Sequence, residues 1–141
     1  MFELRSSLDD LAAAVALVAE HTGIPTLHVE KDFWIGEALR ACQRVAVERG
    51  VEIVLKGGTS LSKGYKLIDR FSEDVDLIVV FDDDESPQSR HQVFRNMANA
   101  AGEALSAEPE VDGGRSERGV KRPVYLQYPT ASTLGLSLIH I

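Results

Sequence analysis

Two groups of residues in this chain have types and spacing suited to chemistry. Gly57-Gly58-Thr59-Ser60 follows the run Val51 to Leu55 after one residue, Lys56, and Asp74 and Asp76 stand at the start of the next run, Val75 to Phe81. Two glycines after a strand permit unusual φ values and let a ligand come close to the backbone, because no β-carbon stands in the way. A helix starting near Thr59 would aim its free N–H groups and the positive end of its dipole at the same spot. That makes an anion site, with the Thr59 and Ser60 hydroxyls available to phosphate oxygens. The turn by itself reads equally well as a plain helix start capped by Thr59 or Ser60. Lys63 either reaches a bound phosphate or lies on the surface. An ordinary P-loop is excluded, because Ser62-Lys63-Gly64 stands where Gly-Lys-Ser/Thr is required.

The aspartates are the sharper feature. Alternation along a strand puts residues i and i+2 on one face, so the carboxylates of Asp74 and Asp76 would lie close together. Like charges held so near repel one another, and a hard divalent cation with oxygen ligands, such as Mg²⁺, relieves the repulsion where phosphates are nearby. Taken alone, the pair also fits a solvated strand entrance. Together with the glycine turn it describes more: a phosphate cradle and a metal-binding pair on consecutive strands hold the two parts of a metal–nucleotide complex side by side.

The elements that must position these residues are legible in outline. Ser7 to Glu20 has a capping serine, acids in its first turn and a row of alanines, leucines and valines, which predicts a helix ending before Gly23-Ile24-Pro25. Thr26 to Arg49 has Val29, Phe33, Ala38 and Leu39 near helical spacing and is stopped by Gly50, which predicts a second helix. Val51 to Leu55 and Val75 to Phe81 read as strands, with a short helix from Thr59 to Asp69 between them. A third long helix is expected over Ser89 to Ala107, then a Gly- and Glu-rich loop as far as Gly119, then a strand over Val124 to Tyr128. The last residues, to Ile141, stop within an apolar pattern with no polar tail, so a truncated chain is expected.

Composition sets the outer bounds. The 141 residues are 44% hydrophobic and 26% charged, enough for one domain with a real core. No apolar run approaches the ~20 residues that a bilayer span needs, and the default address is the cytoplasm. The net charge of −7 argues against broad nonspecific binding to nucleic acid, although Gly114 to Arg122 forms a local basic cluster. Asp82-Asp83-Asp84-Glu85 reads as a solvated loop. Cys42 and Trp34, each the only residue of its type, fall in the helical pattern and are assigned to the core. His21, His28, His91 and His140 lack the spacing of metal ligands and are read as surface or capping residues.

Gly57-Gly58-Thr59-Ser60, followed by Arg70-Phe71-Ser72-Glu73-Asp74-Val75-Asp76-Leu77, resembles the signature of the AbiEii-type nucleotidyltransferase toxins of the DNA polymerase β-like nucleotidyltransferase superfamily. Val29 to Ile35 (VEKDFWI) is similar to a segment these proteins carry ahead of the core, and Tyr125 to Pro129 matches more loosely. The resemblance implies an α/β (α+β) nucleotidyltransferase-like core, a small mixed sheet flanked by helices, in a single domain over residues 1–141. Residues 1–50 would supply N-terminal helices, and residues 51–141 an incomplete catalytic core. It implies that Gly57, Gly58, Thr59 and Ser60 hold a nucleoside triphosphate with help from Lys63, and that Asp74 and Asp76 are catalytic and bind Mg²⁺. Lys31 and Asp32 would be supporting residues, or an ordinary helix charge pattern. It further implies a toxin of a toxin–antitoxin or phage-defence pair, with a cognate antitoxin and with the acceptor end of tRNA as one possible acceptor hydroxyl. Superfamily members normally add a third carboxylate from a later strand, and neither Val124 to Tyr128 nor the run to Ile141 contains an acid. Two readings therefore stand: a metal-dependent nucleotidyltransferase, and a nucleotide-binding module or fragment that has lost transfer.

Overall fold

The computed structural model describes residues 4–56, 76–106, 110–111, 124–128 and 137–140, with backbone only for the last three stretches. A 3₁₀ turn, Leu4–Ser6, leads into α1, Leu8–Thr22, and α2, Thr26–Arg49. β1, Glu52–Lys56, and β2, Asp76–Val80, are followed by α3, Pro87–Leu105, and then by β3, Glu110–Val111, β4, Val124–Tyr128, and β5, Ser137–His140. The chain is mixed α/β, as its pattern predicts.

The helix ends follow local chemistry. The Asp10 N–H donates to Ser7 Oγ at 3.4 Å, and Asp9 and Asp10 complement the dipole in the first turn of α1. Gly23 closes α1 with φ 73°, its N–H donating to the Ala19 carbonyl at 2.9 Å. α1 runs two residues past Glu20, where the Thr22 hydroxyl donates to the Val18 carbonyl at 2.7 Å. Gly50 closes α2 with φ 66°, and the Val51 N–H reaches back to the Ala46 carbonyl at 3.0 Å, so β1 begins almost at once. α3 starts two residues before Ser89, because Ser86 caps it and Pro87 is suited to the first turn.

α2 and α3 make the largest contact between elements, and most of the core lies between them: Trp34, Ile35, Ala38, Ala41, Cys42, Val45 and Ala46 from α2, with Val93, Met97, Ala98, Ala101, Ala104 and Leu105 from α3. α1 adds Leu11 and Val15. β1 and β2 form an antiparallel ribbon in the register Glu52↔Val80, Ile53↔Val79, Val54↔Ile78, Leu55↔Leu77 and Lys56↔Asp76. Its inner residues Ile53, Leu55, Leu77 and Val79 pack against the helical core, while Glu52, Val54, Lys56, Asp76, Ile78 and Val80 face outward. β3, β4 and β5 form a second antiparallel sheet in that order, with β4 against α3 and β5 against α2.

The link from β2 to α3 is held by Arg90. Its Nε donates to the Glu85 carbonyl at 3.1 Å and its Nη2 to the Asp82 carbonyl at 3.4 Å. Its guanidinium lies 5.5 Å from the centroid of the Phe81 ring, which itself meets Phe94 edge to face. Asp82, Asp83 and Asp84 are exposed, so the acidic run is a solvated loop, and Ser89 Oγ donates to the Glu85 carboxylate. Among the described residues no helix is long and apolar enough to cross a membrane.

Candidate functional site

The candidate site has its structural anchor at the end of the β1–β2 ribbon formed by Lys56 and Asp76. Asp76 is the first residue of β2 and Lys56 the last of β1, and antiparallel register makes them direct partners. Directly opposed residues of an antiparallel pair share a face, with β-carbons about 4.5–5.5 Å apart. Both side chains are exposed on the outer face. Asp76 therefore presents its carboxylate to solvent at the strand entrance.

Gly57, Gly58, Thr59, Ser60, Lys63 and Asp74 lie outside the described residues, as does the helix predicted over Thr59 to Asp69. Covalent continuity fixes one thing: Gly57 is bonded to Lys56 and Val75 to Asp76, so the residues that carry the glycine turn leave the ribbon and return to it at one cross-strand pair. Of the two groups, the described residues therefore place Asp76 alone, at the end of the ribbon where Lys56 leads on to Gly57.

Mg²⁺ suits this donor chemistry. It takes oxygen ligands, keeps several waters, and is commonly bound by one or two carboxylates together with substrate phosphates. Asp76 supplies one accessible carboxylate; among the described residues no three His, Cys, Asp or Glu side chains gather where they could hold a metal ion.

Comparison with protein families matches residues 38–141 to the family described as Nucleotidyl transferase AbiEii toxin, Type IV TA system. The chain belongs to this family. The matched range takes in the glycine turn, both aspartates, the β1–β2 ribbon, α3 and the second sheet, and begins after Val29 to Ile35. No curated protein and no solved structure matches the chain. Membership makes it part of a nucleotidyltransferase toxin family, and a toxin of a toxin–antitoxin system implies an antitoxin counterpart.

In this AbiEii family chain, the segment ahead of the matched range is partly core. Trp34 is buried and meets Phe33 edge to face at 5.1 Å between ring centroids, while Lys31 and Asp32 are half-buried. Two buried acids on α2, Glu30 and Glu37, were not marked by the sequence pattern. Glu37 accepts from Arg40 Nη1 at 2.6 Å. Three further residues escape a motif reading. Lys56 was signalled only by its place just before the glycines and by its strand parity with Glu52. Glu110 falls in a predicted loop, yet belongs to β3 opposite Tyr125, which puts an acid in the second sheet. His140 lies in β5, paired with Tyr125 of β4.

Proposed function

We propose that this chain transfers a nucleotide from a nucleoside triphosphate to an acceptor hydroxyl, with Mg²⁺ held by Asp74 and Asp76. What carries the reading is the position of Asp76: an exposed carboxylate on the first residue of a strand, inside the family match, at the point where the chain carrying the glycine turn rejoins the ribbon. Gly57 and Gly58 let the triphosphate approach the backbone, Thr59 and Ser60 donate to its oxygens, and Lys63 adds a positive charge. The bound cation supplies charge neutralisation on the triphosphate.

The reaction makes a bond between the acceptor oxygen and the α-phosphorus and breaks the bond from that phosphorus to the bridging oxygen of the β-phosphate. Pyrophosphate leaves with the bonding pair, and the acceptor hydroxyl loses its proton. The contribution of the protein is to align the acceptor oxygen with the breaking bond and to keep the two aspartates beside the phosphates. The end of a tRNA is the acceptor we propose first. The net charge of −7 favours recognition of a defined RNA end over broad electrostatic binding.

The test combines the chain with Mg²⁺, each labelled nucleoside triphosphate in turn, and total tRNA. Label should pass to RNA and should fall at least ~100-fold in Asp76→Ala, the scale of losing a main electrostatic element of an active site. Label that persists undiminished in Asp76→Ala sinks the assignment. Triphosphate binding without any transfer would instead select the binding-module reading.

A further inference from the structure

We propose that Lys56 is a nucleotide-binding residue that contacts the phosphate groups across the ribbon from Asp76; this rests on the nucleotidyl-transfer reading above. The register makes Lys56 the direct cross-strand partner of Asp76, on the same outward face, and both side chains are exposed. Opposite charges so placed have every opportunity to pair with each other. Among the described residues, however, no ion pair joins them within 4.0 Å. Both charged heads are therefore free to meet a third, larger charged group.

The charge balance at this end of the ribbon says what that group is. The described residues of the outer face are Glu52, Val54, Lys56, Asp76, Ile78 and Val80, so Lys56 is the one cation among them. A magnesium–nucleoside triphosphate complex remains an anion, and placing it beside the Asp76 carboxylate adds to the repulsion. A cation at the same strand end offsets that repulsion. Asp76 takes the metal side of the complex, and Lys56, from the opposite strand, takes the phosphate side. Lysine suits this role as a compact point charge on a flexible stem, able to follow phosphate oxygens without fixed bidentate geometry. At the other end of the ribbon Glu52 faces Val80, and no such pairing of opposite charges recurs.

The alternative is that Lys56 only screens Asp76. The two roles have opposite consequences for the metal. A phosphate-binding lysine, when removed, weakens the affinity for triphosphate. A screening lysine, when removed, leaves a barer Asp76 that binds Mg²⁺ more tightly, so the affinity for the magnesium–triphosphate complex does not fall.

The experiment is calorimetric titration of the 141-residue chain with each nucleoside triphosphate and the matching monophosphate in the presence of Mg²⁺, and with Mg²⁺ alone. It is run on the wild type and on Lys56→Ala, Lys56→Gln and Lys56→Arg at fixed ionic strength. Lys56→Ala and Lys56→Gln should each weaken triphosphate binding about ten- to a hundredfold, the scale of a lost charge-assisted hydrogen bond. The monophosphate should lose much less, and Lys56→Arg should recover most of the affinity because it keeps the charge. Wild-type or tighter affinity for triphosphate in Lys56→Ala and Lys56→Gln overturns the role of Lys56 and leaves the site itself standing. A wild-type chain that binds no triphosphate overturns the nucleotide reading and this assignment with it. Trp34 emission and far-ultraviolet circular dichroism check that the variants are folded, which the exposure of Lys56 favours.

Discussion

Cys42 shows how far surroundings decide what a reactive side chain does. It is buried in α2, with its Sγ 4.0 Å from the Met97 carbonyl of α3, which accepts from the thiol. Burial pushes its pKa up from 9.0 to about 11, which removes it from nucleophilic chemistry near neutral pH. The shift also has a sign for stability. Between those two values the unfolded chain releases the thiol proton while the native chain keeps it. The contribution is therefore fully present below pH 9.0 and is lost as pH rises towards about 11. Wild type should lose about 2–3 kcal/mol more than Cys42→Ala over that window, measured by urea denaturation at pH 8.5 and again at pH 11. Equal pH dependence in the two proteins would remove Cys42 as the cause. Asp76 and Lys56 make the contrasting case at the same scale, because exposure leaves their charges available to a ligand.

At the scale of elements, the site depends on where β1 begins and ends. Gly50 ends α2 in the left-handed region, at φ 66°, and the chain enters β1 two residues later. A β-carbon built at Gly50 meets nothing within 4 Å, so Gly50→Ala tests the backbone conformation alone, free of steric clash. The left-handed conformation costs an L-residue about 1–2 kcal/mol, and restricting the unfolded chain returns about 0.4–1 kcal/mol, so a net loss of about 1 kcal/mol is expected. Urea denaturation followed by Trp34 emission measures it; a variant as stable as wild type would mean the strain is absorbed by a local shift. Register matters in the same way. Slipping β1 by one residue would put Lys56 on the inner face and separate it from Asp76, and the apolar set Ile53, Leu55, Leu77 and Val79 prevents this by its contact with the helices.

For the whole molecule, the apposition of α2 and α3 supports everything else. Ala38, Ala41 and Ala46 on α2 and Ala98, Ala101 and Ala104 on α3 are all buried, and their small side chains let the two helices approach closely. Ala101 has no exposed surface at all. Ala101→Leu should overpack this seam and cost about 1–3 kcal/mol, seen as a lower urea midpoint with little change in slope. An unchanged midpoint would show that the seam has room the packing does not suggest. Trp34, the lone tryptophan and 1% exposed, gives the probe: its emission should be blue-shifted in the native chain and move to the red on unfolding.

How much of this was legible beforehand follows from the range of the forces involved. Helix ends, capping residues and strand alternation are local, so Ser7, Gly23, Gly50 and the runs at β1, β2 and β4 could be read directly from neighbouring residues. The types and spacing of Gly57-Gly58-Thr59-Ser60 and of Asp74 and Asp76 were likewise enough to suggest a phosphate and metal chemistry and to mark the family that the match over residues 38–141 establishes. Other features have no local signal. Glu30 is polar by composition and buried by packing; Glu110 reads as loop until β4 pairs with it; and the end of the chain shows itself as β5 only beside Tyr125 to Tyr128. Lys56 became a candidate only when antiparallel pairing set it opposite Asp76, because contacts between residues far apart in the chain depend on register and packing, which the sequence of either strand alone does not specify.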